Sequence, residues 1–253
     1  MRILVTNDDG IHAPGLKVLE EIARALSDDV WVVAPETDQS GVSHSLSLND
    51  PLRLRRISEQ HFAVKGTPSD CVIMGVRHIL KEQRPDLVLS GVNRGQNVAE
   101  DVTYSGTIAG AMEGTILGVR SVALSQAYGA AGRANVRWQT AARHGAPTVR
   151  RILEAGIEPG ILVNVNFPDC EPDEVAGTAV AMQGVRNQQL LSIDERVDGR
   201  GNPYFWLAFA RARFEPGNGT DLKALAERRI AITPLRLDLT DEPTLTRFAQ
   251  AFG

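Results

Sequence analysis

The chain has 253 residues, of which 43% are apolar and 23% charged, so it is long enough to bury a large core. Its formal net charge of −4 argues against binding nucleic acid polymers without sequence preference, which requires a basic surface. The two cysteines, Cys71 and Cys170, lie far apart, so we expect reduced thiols in a cytoplasmic protein. We expect no signal peptide, and no apolar run is long enough to suggest a membrane span.

The N-terminal segment predicts a βαβ unit. Residues 3–5 are a continuous apolar run, typical of a strand buried on both faces of a parallel sheet. Residues 15–26 carry apolar side chains at helical spacing, and residues 30–34 form a second buried run. A strand, a helix and a strand in this order form a right-handed crossover. The predicted fold is therefore α/β: a Rossmann-like, doubly wound, mostly parallel sheet.

Two adjacent carboxylates, Asp8 and Asp9, follow the first predicted strand. Open α/β sheets bind ligands at the carboxyl ends of their strands. Two neighbouring carboxylates repel each other unless a cation lies beside them, and hard oxygen ligands favour Mg²⁺, Mn²⁺ or Ca²⁺. The alternative is structural, because an Asp-Asp-Gly sequence also forms turns that cap helices.

Polar segments follow two further predicted strands. Residues 35–47, which include Ser40, are rich in hydroxyl groups and come after the second strand. The strand at residues 86–90 ends in a glycine-rich segment with Asn93 and Asn97, whose side chains offer neutral oxygen ligands or amide donors. Each segment could be a plain surface loop. Their shared position at strand ends predicts a metal and phosphate pocket.

A helix over residues 108–117 begins just after Ser105, Gly106 and Thr107. Hydroxyls and free backbone amides at a helix N-terminus can bind phosphate, although a capping serine is also common without any ligand. Between the polar segments, residues 52–57 and 62–65 predict an inserted hairpin, and residues 66–80 predict a helix.

The second half of the chain continues the α/β pattern and then loosens. We predict strands at 121–125 and 161–167, with a helix at 136–153 between them. Strand-like runs follow at 177–182 and 204–210, separated by a polar segment at 184–203. The chain then continues with a helix at 221–225, a strand at 229–233 and a helix at 244–252. We assign residues 1–183 to a Rossmann-like catalytic core and residues 184–253 to a hairpin and helix arm. Such arms often pair between subunits, so we expect a homo-oligomer.

Seven motifs, in this order along the chain, resemble the SurE family of stationary-phase survival proteins, which are metal-dependent 5′/3′-nucleotidases. The motifs are residues 7–15 (Asn-Asp-Asp-Gly-Ile-His-Ala-Pro-Gly), 40–46 (Ser-Gly-Val-Ser-His-Ser-Leu), 66–71 (Gly-Thr-Pro-Ser-Asp-Cys), 90–95 (Ser-Gly-Val-Asn-Arg-Gly), 104–107 (Tyr-Ser-Gly-Thr), 164–168 (Asn-Val-Asn-Phe-Pro) and 232–235 (Ile-Thr-Pro-Leu). The resemblance covers nearly the whole chain.

The resemblance implies one divalent cation per subunit, Mg²⁺ or Mn²⁺, and nucleoside monophosphates as substrates. It implies that the metal ligands are Asp8, Asp9, Ser40 and Asn93. It places Asn97, Ser105, Gly106 and Thr107 around the phosphate. It also implies a Rossmann-like core and a C-terminal arm exchanged between subunits, which gives a homodimer or homotetramer.

These residue types suit phosphate ester hydrolysis, with Asp8 and Asp9 as the catalytic residues. A divalent cation neutralises phosphate oxygens and can activate water, while the amides and hydroxyls at 105–107 stabilise developing charge. The residues alone do not distinguish attack by water from a covalent aspartyl intermediate, and we favour water. His12 and His44 are left outside the catalytic set. Short polyphosphate is a further candidate substrate, and a nucleotide-binding regulatory module without catalysis is the alternative function.

Overall fold

A nine-stranded sheet forms the centre of the fold in the computed structural model, which describes residues 1–129, 132–186, 191–209 and 215–253. The strands of this sheet are β1 (Arg2–Thr6), β2 (Asp29–Pro35), β3 (Arg53–Arg56), β4 (His61–Lys65), β5 (Leu87–Arg94), β6 (Arg120–Gln126), β7 (Ile161–Phe167), β8 (Thr178–Val180) and β11 (Ile230–Arg236). Strands β9 (Leu191–Val197) and β10 (Pro203–Phe209) form a separate two-stranded sheet. The helices are α1 (Pro14–Arg24), α2 (Pro68–Met74), α3 (Asp101–Tyr104), α4 (Gly106–Ile116), α5 (Trp138–Ala155), α6 (Asp221–Ala226) and α7 (Glu242–Phe252).

The strand order in the main sheet is β3-β4-β2-β1-β5-β6-β7-β11-β8. The six strands from β4 to β7 are parallel, whereas β3 is antiparallel to β4 and β11 is antiparallel to β7. The chain moves from β1 to β2 on one side and later returns to place β5 on the other side. The order therefore reverses between β1 and β5, and this is where sheets of this class bind ligands.

Helices cover both faces of the sheet. Ile3 and Val5 of β1 belong to a core that includes the apolar sides of α1 and α5, whereas Leu4 between them packs with α2. This alternation places the two cores on opposite faces, because successive side chains of a strand point in opposite directions. The predicted doubly wound α/β fold is confirmed, including the hairpin, which is formed by β3 and β4 at one edge.

Three sequence predictions were wrong in detail. Strand β5 does not end at Ser90 but continues to Arg94 through a register shift. Gly91 permits this path because it has a φ of +134° and an added Cβ atom would lie 2.1 Å from the carbonyl oxygen of Leu124. The helix predicted at 66–80 is α helical only to Met74 and continues as a wider helical turn over Gly75–Ile79. The polar segment 184–203 contains strand β9, which pairs with β10.

The β9–β10 hairpin and α7 expose apolar side chains. Ile193 and Leu207 on the hairpin, and Phe248 and Phe252 on α7, are each more than half exposed. Strand β11 also comes from the 184–253 segment, yet it pairs with β7 and β8 inside the main sheet. The division at 183/184 stays a prediction. Residues 187–190 and 210, which fall in predicted segments, lie outside the described residues. Among the described residues, no helix combines the length and apolarity needed to cross a membrane.

Candidate metal and phosphate site

Asp8 and Asp9 lie directly after β1, at the point where the strand order reverses. Asn7 donates a hydrogen bond from its side-chain amide to the carbonyl oxygen of Gly10, at 3.0 Å, and so closes a turn around the two carboxylates. Gly10 has a φ of +98°, which strongly favours glycine. The turn expected as the structural alternative is therefore present. It presents the carboxylates at the carboxyl end of the sheet, so the two interpretations are compatible.

Asp8 is almost fully buried against the N-terminus of α4. Its Oδ1 atom accepts a hydrogen bond of 2.6 Å from the hydroxyl of Thr107. A Cβ atom added to Gly106 would lie 2.8 Å from the Cβ of Asp8, so this glycine allows the helix to approach the carboxylate closely. Burial raises the pKa of Asp8 to about 7, and the charge of Asp9 adds to this rise, while the Thr107 hydrogen bond opposes it.

Asp9 is partly buried and accepts a hydrogen bond of 3.1 Å from the backbone amide of Arg94 at the end of β5. Burial raises the pKa of Asp9 as well, although the Arg94 amide and the positive charge of Arg94 act in the opposite direction. The two carboxylates thus occupy a place that disfavours their charged forms. A bound cation would reverse that preference.

Ser40 is exposed in the segment that follows β2. Its hydroxyl donates to Oδ1 of Asp38 at 2.6 Å, and its backbone amide donates to the same atom at 2.8 Å. The neighbouring amide of Gln39 donates to the carbonyl oxygen of Asp8 at 2.7 Å, which ties this segment to the turn after β1. Its hydrogen bonds with Ser40 place Asp38 at the site, and its charge adds to the effect of burial, which raises the pKa of both Asp8 and Asp9.

Sequence reasoning missed Asp38. The available signal was an acidic residue two positions before Ser40 in a segment already chosen for its place after a strand. A third carboxylate at this end of the sheet increases the negative field that a cation would neutralise.

Asn93 and Asn97 occupy different surroundings. The side-chain amide of Asn93, at the end of β5, donates to the carbonyl oxygen of Gly95 at 2.9 Å, which leaves its oxygen available as a ligand. Asn97 is buried, and its side-chain amide donates to the hydroxyl of Ser125 at 2.9 Å. Asn164 and Asn166 on β7 hold the backbone of Asn97 through three hydrogen bonds of 2.8–3.1 Å.

The predicted phosphate-binding group lies around the start of α4. Ser105 is the N-cap of this helix, and its hydroxyl accepts from the amide of Ile108 at 3.1 Å. The capping interpretation is therefore correct for the Ser105 side chain. The first amides of a helix lack intrahelical partners and carry a partial positive charge. This helix end meets Asp8 through Gly106 and Thr107, so any anion bound there lies next to the carboxylates.

The segment after Ser40 is attached to three helices, α2, α3 and α4. Ser43 donates from its hydroxyl to the carbonyl oxygen of Thr103 at 2.7 Å, and His44 contacts the carboxylate of Glu113 on α4 at 3.0 Å. Thr67, the N-cap of α2, donates to the carbonyl oxygen of Ser45 at 2.8 Å. His12 is exposed. The contact with Glu113 therefore attaches His44 to α4.

The donor set fits one hard divalent cation. Asp8, Asp9 and the side-chain oxygen of Asn93 are oxygen donors at neighbouring strand ends, and the buried Oδ1 of Asn7 close by has no hydrogen-bond partner. In the part of the chain that the structure describes, no group of three or more His, Cys, Asp or Glu side chains has the geometry of a metal site. Two carboxylates with neutral oxygens would leave coordination positions for water and substrate.

Comparison with known proteins assigns the family. Residues 3–190 match the family model described as Survival protein SurE. The chain belongs to the SurE family. A protein named 5'-nucleotidase SurE from Methylobacterium sp. (strain 4-46) is 88% identical over the full length of both chains. One of the same name from Methylocella silvestris is 68% identical over 99% of each chain. The crystal structure of the SurE protein from Aquifex aeolicus covers both chains fully, with 39% identity and a TM-score of 0.86.

Membership in the SurE family confirms the resemblance inferred from the seven motifs. The matched range of the family model contains every residue predicted to bind metal or phosphate. The structure brings Asp8, Gly106 and Thr107 into direct contact and joins Asp9 to the end of β5. The individual ligand roles stay predictions.

Proposed function

We propose that this SurE protein is a metal-dependent phosphomonoesterase that releases phosphate from nucleoside 5′- and 3′-monophosphates. The relatives named 5'-nucleotidase SurE support the reaction class, because they align with the chain over its whole length. The single observation that carries the proposal is the contact between the Asp8 carboxylate and the N-terminus of α4. A cation-binding carboxylate and an anion-binding helix end at one place suit a phosphate monoester.

The protein would hold one divalent cation, Mg²⁺ or Mn²⁺, on Asp8, Asp9, Ser40 and Asn93. When bound, the cation supplies Lewis acidity that neutralises phosphate oxygens and orients the ester. The Thr107 hydroxyl, already bonded to Oδ1 of Asp8, fixes that carboxylate so that its other oxygen is free to bind.

The chain contributes orientation and charge stabilisation around the phosphate. The backbone amides at the start of α4 point away from the helix and can donate to oxygens that gain negative charge in the reaction. The Asn97 side chain, fixed by Ser125, forms the opposite wall in this proposal. These groups are held before substrate arrives, so little reorganisation is needed when charge develops.

Measurement of phosphate release tests the proposal. The purified protein, loaded with Mn²⁺ or Mg²⁺, is assayed against a panel of nucleoside 5′- and 3′-monophosphates, with short polyphosphate and a nucleoside as further arms. We expect release from the monophosphates, loss of activity in EDTA, and recovery when metal is restored. No release from any phosphomonoester, with retained nucleotide binding, would instead support the regulatory module. Full turnover without metal would refute the metal assignment.

Replacing Thr107 by valine is expected to weaken metal binding by about tenfold, since it removes a hydrogen bond that orients a ligand while keeping the shape of the side chain. Calorimetric titration with Mn²⁺ measures the effect. Thr115→Val is the matched control, because its hydroxyl bonds only to the backbone of the same helix. Equal metal affinity in Thr107→Val and the wild type would contradict the proposed role of Thr107 in orienting Asp8.

We also propose that the protein forms a homodimer or homotetramer through the β9–β10 hairpin and α7. Both expose apolar side chains that a monomer would leave in water, including Trp206, Leu207 and Phe252. Light scattering during size-exclusion chromatography measures the mass directly. A monomer at all concentrations, or a dimer unaffected by Leu207→Lys together with Phe252→Lys, would refute this interface.

A further inference from the structure

The segment from Asn97 to Thr107, here called the phosphate-binding segment, contains all the residues assigned to the phosphate in the proposed function. Its two ends are fixed close to the site: Asn97 by side chains of β6 and β7, and Thr107 by Asp8. The middle, residues 98–104, contains the short helix α3. Its position therefore depends on what contacts residues 98–101.

Three residues distant in sequence hold that middle part. Arg186 binds the Asp101 carboxylate with both terminal nitrogens, at 2.5 and 2.7 Å, and its backbone amide donates to the Glu100 carboxylate at 2.9 Å. Both partners of the Arg186–Asp101 pair are largely buried, with side chains 14% and 16% exposed. A bidentate arginine–carboxylate pair is directional, so it fixes orientation as well as distance.

The backbone of Ala99 is held on both sides. Its amide donates to Oδ2 of the fully buried Asp221 at 2.9 Å, and its carbonyl oxygen accepts from the side-chain amide of Gln183 at 2.8 Å. Ala99 has a φ of +53°, a left-handed conformation that residues other than glycine adopt rarely. Such a conformation persists when surrounding contacts determine it, and here Asp221 and Gln183 do so.

The held part connects directly to both halves of the site. Helix α3 ends at Tyr104, and Ser105 then begins α4. The carbonyl oxygens of Thr103 and Tyr104 accept hydrogen bonds from Ser43, on the segment that carries Ser40. A shift of residues 98–101 would therefore move the start of α4 and loosen the Ser40 segment together.

We propose that Arg186 is a positioning residue for the phosphate site and acts through Asp101 and Glu100, assisted by Asp221 and Gln183. This inference rests on the proposed function, because it assigns a role in the binding of the phosphate group. Along the chain, Arg186 precedes strand β9, which begins at Leu191. Its role is to keep the start of α4 in place rather than to touch the substrate.

The kinetic test uses Arg186→Ala, Asp101→Asn and the double variant. For Arg186→Ala we expect KM for a nucleoside monophosphate and the inhibition constant of inorganic phosphate to rise together by about tenfold, with kcat changed much less, because a displaced helix start weakens phosphate binding in ground and transition states alike. The KM of the double variant should be no higher than that of either single variant, since each substitution breaks the same ion pair. Arg186→Lys keeps the charge but not the bidentate contact, so its KM should lie between those of the wild type and Arg186→Ala.

Arg2→Ala is the matched control, because the Arg2 side chain is about as buried as that of Arg186 and forms an ion pair at the opposite end of the sheet with Asp29, which is more exposed than Asp101. It should lower the melting temperature about as much as Arg186→Ala while KM stays at the wild-type value. Equal KM changes in the two variants, or additive effects of Arg186→Ala and Asp101→Asn, would overturn the positioning role.

Hydrogen exchange separates this inference from the proposed function. We expect the amides of residues 98–108 to exchange faster in Arg186→Ala than in the wild type, whatever the activity. Unchanged exchange in this segment would overturn the inference even if the enzyme is active. An inactive wild type with faster exchange in the variant would refute the phosphomonoesterase activity and the kinetic role, while leaving Arg186 as the residue that holds the segment.

Discussion

Asp8→Asn is expected to lower phosphate release by about a thousandfold or more while the protein stays folded. The substitution keeps a side-chain oxygen that can accept the hydrogen bond from the Thr107 hydroxyl, so the contact with α4 is preserved. It removes one of the two negative charges that would hold the cation, and both metal affinity and charge stabilisation depend on that charge. Steady-state phosphate release at saturating Mn²⁺, together with calorimetric metal titration, measures both losses.

Asp28→Asn provides the comparison for this substitution, because Asp28 is an exposed carboxylate just before β2, at the opposite end of that strand from the site. It should retain wild-type turnover and metal affinity. Circular dichroism and thermal unfolding establish that Asp8→Asn is folded. Turnover by folded Asp8→Asn at the wild-type rate would refute the placement of the metal and of the catalytic carboxylate. Asp9→Asn gives a second test of the pair, since Asp9 is less buried.

The sheet is predictable from the sequence because its strands are short apolar runs separated by helical periodicity. Residues 3–5, 30–34 and 161–167 are short runs typical of buried strands in an α/β fold, and the polar residues that follow parallel strands gather at one edge of the sheet. That rule alone is enough to assign Asp8, Ser40 and Asn93 to the same edge of the sheet. Strand β9 escapes prediction because it pairs only with β10 and its side chains from Ser192 to Val197, polar and apolar alike, are exposed.

The parts of the site that depend on distant contacts could not be predicted. Arg186 and Asp221 are ordinary charged residues in the sequence, and only the fold places them against residues 98–101. The hydrogen bond between Ser40 and Asp38 is local, but a sequence cannot say which oxygen a hydroxyl contacts. The burial of Asp8 could not be predicted either, because it depends on contact with helix α4, which begins 98 residues further along the chain (106 minus 8).

The metal-free protein is expected to lose stability as pH rises from about 5 to about 8, by about 3 kcal/mol from Asp8 alone. Burial raises the pKa of Asp8 from 3.8 to about 7, so between these values the folded state holds a proton that the unfolded state has released. The stabilisation is complete below the unfolded pKa and is lost as pH rises through the folded pKa. Urea unfolding in EDTA at the two pH values measures this change.

Asp8→Asn removes the titrating group, so the wild-type free energy of unfolding minus that of the variant should fall across this pH range. The pKa of Asp9 is raised as well, and the charges of Asp8 and Asp9 interact, so the difference reports the titration of Asp8 together with its coupling to Asp9. A divalent cation should reverse the trend in the wild type, because it binds the ionised pair and stabilises the folded state more at high pH than at low pH. Parallel pH curves for the two metal-free proteins would show that Asp8 ionises normally in the folded state. That result would rule out the preference of buried Asp8 for its protonated form. It would also remove the electrostatic reason for a cation beside Asp8.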